Sequence, residues 1–176
     1  MNSYISMLRG INVSGHKKLK MGELKKLYES LGFSDVQTYI QSGNVIFKSS
    51  GKDVSKLASS INEKIKEIFG LDVGVIIRTK DELEQLIANN PFAKKDESKL
   101  YVTFLSAIPT NVPTDEISKV KNKAEEFFVT DQAVYLFCPY GYGRSKLSNT
   151  LFEKKLKVSA TTRNWETVKA LLNMAK

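Results

Sequence analysis

The strongest constraint on the fold is the order of short hydrophobic patterns in the first 80 residues. Tyr4 to Arg9 is an apolar run that predicts a strand, and apolar residues at helical spacing then stop at Gly32, a typical helix-capping position. Two β-prone runs, 36–41 and 45–49, flank a Ser-Gly-Asn turn. A helix ending near Gly70 and a strand over 73–77 follow. The order βαββαβ predicts a ferredoxin-like subdomain.

The second half of the chain repeats this order with less definition. Thr79 and Glu82 form a capping box that opens an extra helix, and the polar segment 91–98, which begins with a proline, reads as a linker. Later elements are predicted as a strand over 100–106, a helix over 114–127, a strand over 133–138, a helix over 147–156, a β-prone piece over 158–162 and a final helix over 164–175. A shift of 85 residues places Arg78 on Arg163 and aligns the apolar residues of the two extra helices.

These patterns predict an α+β fold of two ferredoxin-like subdomains, each followed by an extra helix, related by an internal duplication. The expected boundaries are residues 1–90, a linker at 91–98, and residues 99–176. In the first subdomain, apolar residues occupy both alternating sets of strand positions, as Ile5 and Met7 do beside Tyr4 and Leu8. We therefore expect both faces of that sheet to be covered, with the extra helices as the obvious covers.

The composition excludes several classes of protein. At 41% hydrophobic residues the chain can build a core, and no apolar run approaches the roughly 20 residues of a membrane helix. The N-terminal residues lack a signal-peptide pattern, and one cysteine cannot form an internal disulfide, so we expect a cytoplasmic protein. One histidine and one cysteine without zinc-type spacing predict no metal site, and no cofactor motif is present.

The positive charge is concentrated in two clusters. The net charge is +8, and residues 1–80 carry 13 basic and 7 acidic side chains against 14 and 12 in the remainder. One cluster runs from Arg9 to Lys26 and the other from Arg144 to Arg163. Lysines on amphipathic helices are commonly a solvated surface, which is the simpler interpretation of many of them. The alternative is that the two clusters share one anion-binding face.

Three polar loop segments are candidate anion sites. The loop from Gly10 to Lys18 follows a strand and precedes a helix, which suits either a phosphate contact or a turn that needs glycine. Residues 140–146 place Arg144, Ser145 and Lys146 at a predicted helix N-terminus, with two tyrosines as stacking surfaces; the alternative is a glycine-rich loop with Ser145 as the N-cap. At 161–165, Asn164 is a natural N-cap beside Arg163. Neither a P-loop nor a dinucleotide fingerprint is present.

Six motifs in order resemble the bacterial domain-of-unknown-function family numbered 1697. They are Leu8-Arg9-Gly10-Ile11-Asn12-Val13, Lys20-Met21, Thr38-Tyr39-Ile40-Gln41-Ser42-Gly43-Asn44-Val45, Asn90-Pro91-Phe92, Gly143-Arg144-Ser145-Lys146-Leu147-Ser148-Asn149 and Ala160-Thr161-Thr162-Arg163-Asn164-Trp165. The resemblance spans nearly the whole chain and implies an α+β fold of two ferredoxin-like subdomains. It implies no activity, and its polar, glycine-rich motifs fit a shared binding surface.

The leading hypothesis is a basic binding module for a phosphate-bearing ligand, nucleic acid or nucleotide, held at a cleft between the subdomains. One alternative is an enzyme acting on a small phosphorylated or carboxylated metabolite, with Ser42, Ser145 or His16 contributing chemistry. Another is a protein-interaction module without a ligand. No catalytic residue, membrane contact or oligomeric state is assigned. The predicted ligand-binding residues are Arg9, Asn12, Lys20, Ser42, Asn44, Arg144, Ser145, Lys146, Arg163 and Asn164.

Overall fold

A computed structural model describes all residues from 1 to 176. The first half contains β1 (Asn2–Leu8), α1 (Met21–Ser30), β2 (Ser34–Tyr39), β3 (Asn44–Ser49), α2 (Val54–Phe69), β4 (Val75–Thr79) and α3 (Lys80–Ala88). The second half contains β5 (Leu100–Leu105), α4 (Thr114–Val120), β6 (Glu126–Val129), β7 (Ala133–Phe137), α5 (Asn149–Leu156), β8 (Ala160–Asn164) and α6 (Trp165–Ala175). Two three-residue 3-10 helices cover Glu97–Lys99 and Tyr142–Arg144.

Each half forms its own four-stranded antiparallel sheet. The strand orders are β2-β3-β1-β4 and β6-β7-β5-β8, so corresponding strands take the same places in the two sheets. Both halves follow the order βαββαβ and end with a further helix. The predicted fold class, α+β with two ferredoxin-like subdomains, is confirmed.

The chain divides into two compact units, residues 1–86 with 170–176 and residues 87–169. The last helix, α6, begins in the second unit, and its final residues belong to the first. The sequence-based boundary, with a linker over 91–98, stays a prediction. None of the helices has both the length and the hydropathy needed to cross a bilayer.

In the first unit, capping residues mark the helix ends that the sequence predicts. Asp53 caps α2 by accepting hydrogen bonds from the amides of Ser55 and Lys56, at 3.0 and 3.2 Å. The same helix ends at Gly70, whose φ of 68° is a left-handed conformation that favours glycine. Thr79 and Glu82 make the predicted capping box, with bonds of 2.8 and 3.1 Å.

Apolar residues on both faces of the first sheet are buried. Tyr4 and Leu8 belong to a core cluster with residues of α1 and α2, whereas Ile5 and Met7, which alternate with them along β1, are also fully buried. Met174 and Ala175, at the end of α6, line a groove together with residues of β2 and β3. The prediction that both faces are covered is therefore confirmed for β1.

The duplication extends to two buried arginines. Arg78 in β4 and Arg163 in β8 occupy equivalent positions, each paired with the first strand of its own sheet. Nη1 of each donates to the carbonyl of the preceding residue, at 2.9 Å in the first unit and 3.0 Å in the second. Both strands lie two residues further along the chain than predicted and lead directly into α3 and α6.

The helix predicted over 114–127 and the predicted β2–β3 turn also differ from the structure. The helix expected over 114–127 ends at Val120, and residues 126–129 form the edge strand β6. A turn separates the two elements, in which Asn122 and Glu125 exchange hydrogen bonds. The apolar spacing predicts a continuous helix, but this is wrong because Phe127 and Val129 are β-prone residues that pair with β7. The β2–β3 turn occupies residues 40–43, so Asn44 is a strand residue and not part of the turn.

Candidate functional site

The loop after β1 is braced by the side chain of Asn12. Its Nδ2 donates to the carbonyls of Leu19 and Gln41, at 2.9 and 2.8 Å, and its Oδ1 accepts from the Leu19 amide at 2.8 Å. One side chain thus closes the loop on itself and ties it to the β2–β3 turn. Because both amide hydrogens and the carbonyl are engaged, Asn12 holds the loop by bonds that an anion would have to displace.

The β2–β3 turn packs closely against the same loop. A Cβ added at Gly43, whose φ is +84°, would lie 2.7 Å from the Leu8 Cβ and 2.7 Å from the Ile11 Cδ1. Only glycine fits this position. Ile40, in the same turn, has a φ of 49° although it is β-branched, and half of its surface is exposed. The two segments therefore form one closely packed loop cluster at the end of β1.

The structure brings together the site residues predicted in the first unit. Asn44 is buried, and its Nδ2 donates to the Tyr39 carbonyl and to the Ser42 hydroxyl, at 3.1 and 2.8 Å. Arg9 is half-buried and its amide donates to Gly74, whereas Lys20 is exposed just before α1. These residues surround the loop cluster, and their role in ligand binding stays a prediction.

In the second unit, the predicted helix N-terminus lies elsewhere. Helix α5 begins at Asn149 with Ser148 as its N-cap, so Arg144, Ser145 and Lys146 precede the helix and do not lie at its first turn. The Ser145 hydroxyl accepts a hydrogen bond from the Leu147 amide at 3.0 Å instead of capping the helix. Leu147 is buried and precedes the helix, whose first turn is capped by the Ser148 hydroxyl through the Leu151 amide at 3.2 Å.

Arg144 lines an open depression of about 690 Å³ in the second unit. The turn after α4 forms a second wall with Asn122, Lys123 and Ala124, and the exposed residue Tyr140 completes the lining. Neither Lys123 nor Arg144 takes part in an ion pair. Two cations without a counter-charge and an exposed aromatic ring therefore face one space.

Two buried polar residues, Glu125 and Cys138, lie close in sequence to the two segments that line this depression. Glu125 is 1% exposed; its Oε1 accepts from the Asn122 amide at 2.8 Å, and its Oε2 has no hydrogen-bond partner. Glu125 and Cys138 flank the β6–β7 pair of Glu126 and Phe137, and Cys138 precedes the Tyr140 loop. Burial raises the pKa of Cys138 to about 11; the Ser145 hydroxyl lowers it and the Glu125 charge raises it. The thiol is therefore protonated near neutral pH.

Arg163 and Asn164 serve the architecture of the second sheet. Arg163 is buried, its Nη1 donates to the Thr161 hydroxyl at 2.8 Å, and burial lowers its pKa to about 10. Asn164 caps α6 by accepting from the Thr167 amide at 2.8 Å, as predicted from the sequence. On the other face, Thr162 bonds to Thr103 and Asn149, at 2.7 and 2.6 Å, which links the last two sequence motifs.

The comparisons with known proteins give a family and a fold. The family described as "Protein of unknown function (DUF1697)" matches residues 1–135. The chain belongs to this family. A solved structure of the conserved bacterial protein SP0830 from Streptococcus pneumoniae has a TM-score of 0.72 at 22% identity and covers 99% of both chains. The search among curated proteins found no match.

The DUF1697 match includes the loop cluster and one wall of the depression, the turn with Lys123, but ends before Tyr140 and Arg144. The sequence indicated Tyr140 and Arg144 as candidate ligand contacts and missed Asn122 and Lys123. Their turn was hidden inside the helix predicted over 114–127. The signal that could have exposed it is the reciprocal Asn-x-x-Glu pattern, since such a pair closes a turn through two backbone amides.

Proposed function

We propose that this protein binds a small phosphate-bearing ligand in the depression of the second unit. The observation that carries the proposal is the pair of unneutralised cations, Lys123 and Arg144, on the lining of that space. Arginine presents a planar fork of donors that matches phosphate oxygens, and lysine adds a point charge. The net charge of +8 adds a general attraction for anions.

The size of the depression favours a small ligand over a polymer. Its volume of about 690 Å³ falls within the range of roughly 300–1,000 Å³ that is common for small-molecule sites. Nucleic acid, the other ligand in our hypothesis, needs a track of cations along its backbone. The predicted contacts Arg9, Lys20 and Lys146 are not part of this lining, so their role in ligand binding stays a prediction.

Binding accounts for the site better than catalysis does. The single thiol of the chain, Cys138, is buried, and its raised pKa of about 11 leaves almost no thiolate at neutral pH. The Ser145 hydroxyl is engaged by the Leu147 amide, and His16 lies in the first unit. No group on the lining pairs a nucleophile with a base.

Calorimetric titration tests the proposal with pyrophosphate, ribose 5-phosphate and nucleoside monophosphates at low salt. We expect Arg144→Gln and Lys123→Gln each to weaken binding about tenfold or more, because a hydrogen bond to a charged group contributes about 1.5–3 kcal/mol. Lys154→Gln is the matched control, since Lys154 is an exposed lysine outside the lining. If no phosphate compound binds, or if the control weakens binding equally, the proposal is wrong.

A further inference from the structure

We propose that the ligand is a mononucleotide whose base stacks on Tyr140, whose phosphate lies between Lys123 and Arg144, and whose base edge hydrogen-bonds to Asn122. This inference rests on the proposed function and narrows it to one ligand class. Each part of the ligand is assigned to a different feature of the lining.

Binding of a phosphate alone gives no role to Tyr140, which is exposed on the lining. Its ring is 60% exposed, which is unusual for a large aromatic side chain, and it lines the depression. The other strongly exposed aromatic ring, Phe128, lies on the edge strand β6 and outside the lining. An exposed ring beside two cations is the combination that binds nucleotides, because every base offers a π-face for stacking.

The loop that carries Tyr140 is held in place before any ligand arrives. The Gly141 amide donates to the Cys138 carbonyl at 3.0 Å, and Gly141 has a φ of +90° that favours glycine. A 3-10 helix over Tyr142–Arg144 follows, and the Ser145 amide closes it by donating to the Tyr142 carbonyl at 3.0 Å. A fixed platform of this kind reduces the entropy lost when a base stacks on it.

Asn122 is the group suited to the edge of the base. Its backbone amide donates to Glu125 Oε1, and its carbonyl accepts from the Glu125 amide at 3.1 Å. The side-chain amide makes no hydrogen bond within the protein and is exposed on the lining. An asparagine amide offers a donor and an acceptor side by side, which is the pattern that base edges present.

Glu125 keeps the two walls in register. One of its oxygens closes the turn that carries Asn122 and Lys123, and Glu125 and Cys138 flank the β6–β7 pair of Glu126 and Phe137, just before the Tyr140 loop. The turn bond and the strand pairing hold both segments, so the base platform and Lys123 are carried by neighbouring strands of one sheet. A nucleotide has the same arrangement, a flat base joined through a ribose to a phosphate.

The test compares AMP, CMP and ribose 5-phosphate by calorimetric titration of the full chain. We expect the nucleotides to bind at least tenfold more tightly than ribose 5-phosphate, since one base stacked on an aromatic ring contributes a factor of this order. Tyr140→Leu should remove this advantage and leave ribose 5-phosphate binding unchanged. Tyr140→Phe should preserve it, and Phe128→Leu, on the ring outside the lining, should have no effect.

A separate variant tests the contact between Asn122 and the edge of the base. Asn122→Ala keeps the backbone bonds to Glu125, so it should change the ratio of AMP to CMP affinity without weakening ribose 5-phosphate.

Four results would overturn the inference. Equal affinity for nucleotides and ribose 5-phosphate, or a Tyr140→Leu variant with unchanged nucleotide affinity, rejects the stacked base and leaves the proposed function intact. A single-stranded oligonucleotide that binds far more tightly than AMP, with a steep salt dependence, replaces the mononucleotide by a polymer. Absence of binding by every phosphate compound rejects the proposed function and the inference together.

Discussion

Replacing Asn12 with alanine should destabilise the first unit by about 3 kcal/mol. The substitution removes three hydrogen bonds of 2.8–2.9 Å, two of them partly buried bonds to the backbone of Leu19. Each such bond contributes about 0.5–1.5 kcal/mol, and the exposed bond to Gln41 belongs at the lower end of that range. Asn12 also has a φ of 55°, a conformation that costs alanine about 1 kcal/mol more than asparagine.

Urea unfolding followed by circular dichroism measures this loss. Asn12→Gly removes the same hydrogen bonds without the left-handed cost, so it should be less destabilising than Asn12→Ala by about 1 kcal/mol. The matched control is Asn89→Ala, an exposed asparagine whose side chain makes no hydrogen bond, which should stay within about 0.5 kcal/mol of the wild type.

Amide hydrogen exchange gives a local readout of the same brace. The Leu19 amide donates to Asn12 Oδ1, so Asn12→Ala should accelerate its exchange. A loss of stability below about 1 kcal/mol, together with an unchanged Leu19 exchange rate, would refute the idea that this side chain holds the loop to the turn.

Three further changes test other positions. Gly43→Ala should cost about 2–4 kcal/mol in urea unfolding, because its Cβ would clash with Leu8 in a left-handed backbone; a loss below about 1 kcal/mol would contradict the packing. Ile40→Asn should stabilise the protein by about 0.5–1 kcal/mol, since asparagine tolerates a φ of 49° better than isoleucine; a lower melting temperature would argue against it. The pKa of Cys138 rises from 9.0 to about 11 on folding, so the protonated thiol stabilises the protein below pH 9 and this contribution is lost as the pH rises through 11. Unfolding at pH 8 and pH 10 should show a smaller loss in Cys138→Ala than in the wild type, and equal losses would contradict the pKa shift.

Local signals in the sequence predicted the secondary structure correctly at helix ends, where a particular residue type favours one backbone conformation or one capping bond. Gly70, Asp53 and the Thr79–Glu82 pair mark helix ends through backbone geometry and side-chain capping, which depend on neighbours a few residues away. The same logic correctly assigned Asn164 as an N-cap. The order of elements followed from these marks, and with it the ferredoxin-like fold of both units.

Local signals failed where a partner far along the chain decides the conformation. Residues 126–129 carry apolar side chains that fit a helix, but pairing with β7 makes them a strand. Ser145 resembles an N-cap, yet its hydroxyl accepts from the Leu147 amide, and the helix begins at Asn149 with Ser148 as its cap. Arg163 is buried and bonds to its own strand, and its role in ligand binding stays a prediction.

The sequence by itself determined the two-unit architecture, the family and the basic character of the loops, because these depend on order, composition and short-range geometry. Only the tertiary structure decided which polar residues share a space. Lys123 and Arg144 are 21 positions apart, and they face one depression because the pairing of β6 with β7 brings their loops together. Proximity of this kind arises from strand pairing and burial, and no periodic pattern along the chain records it.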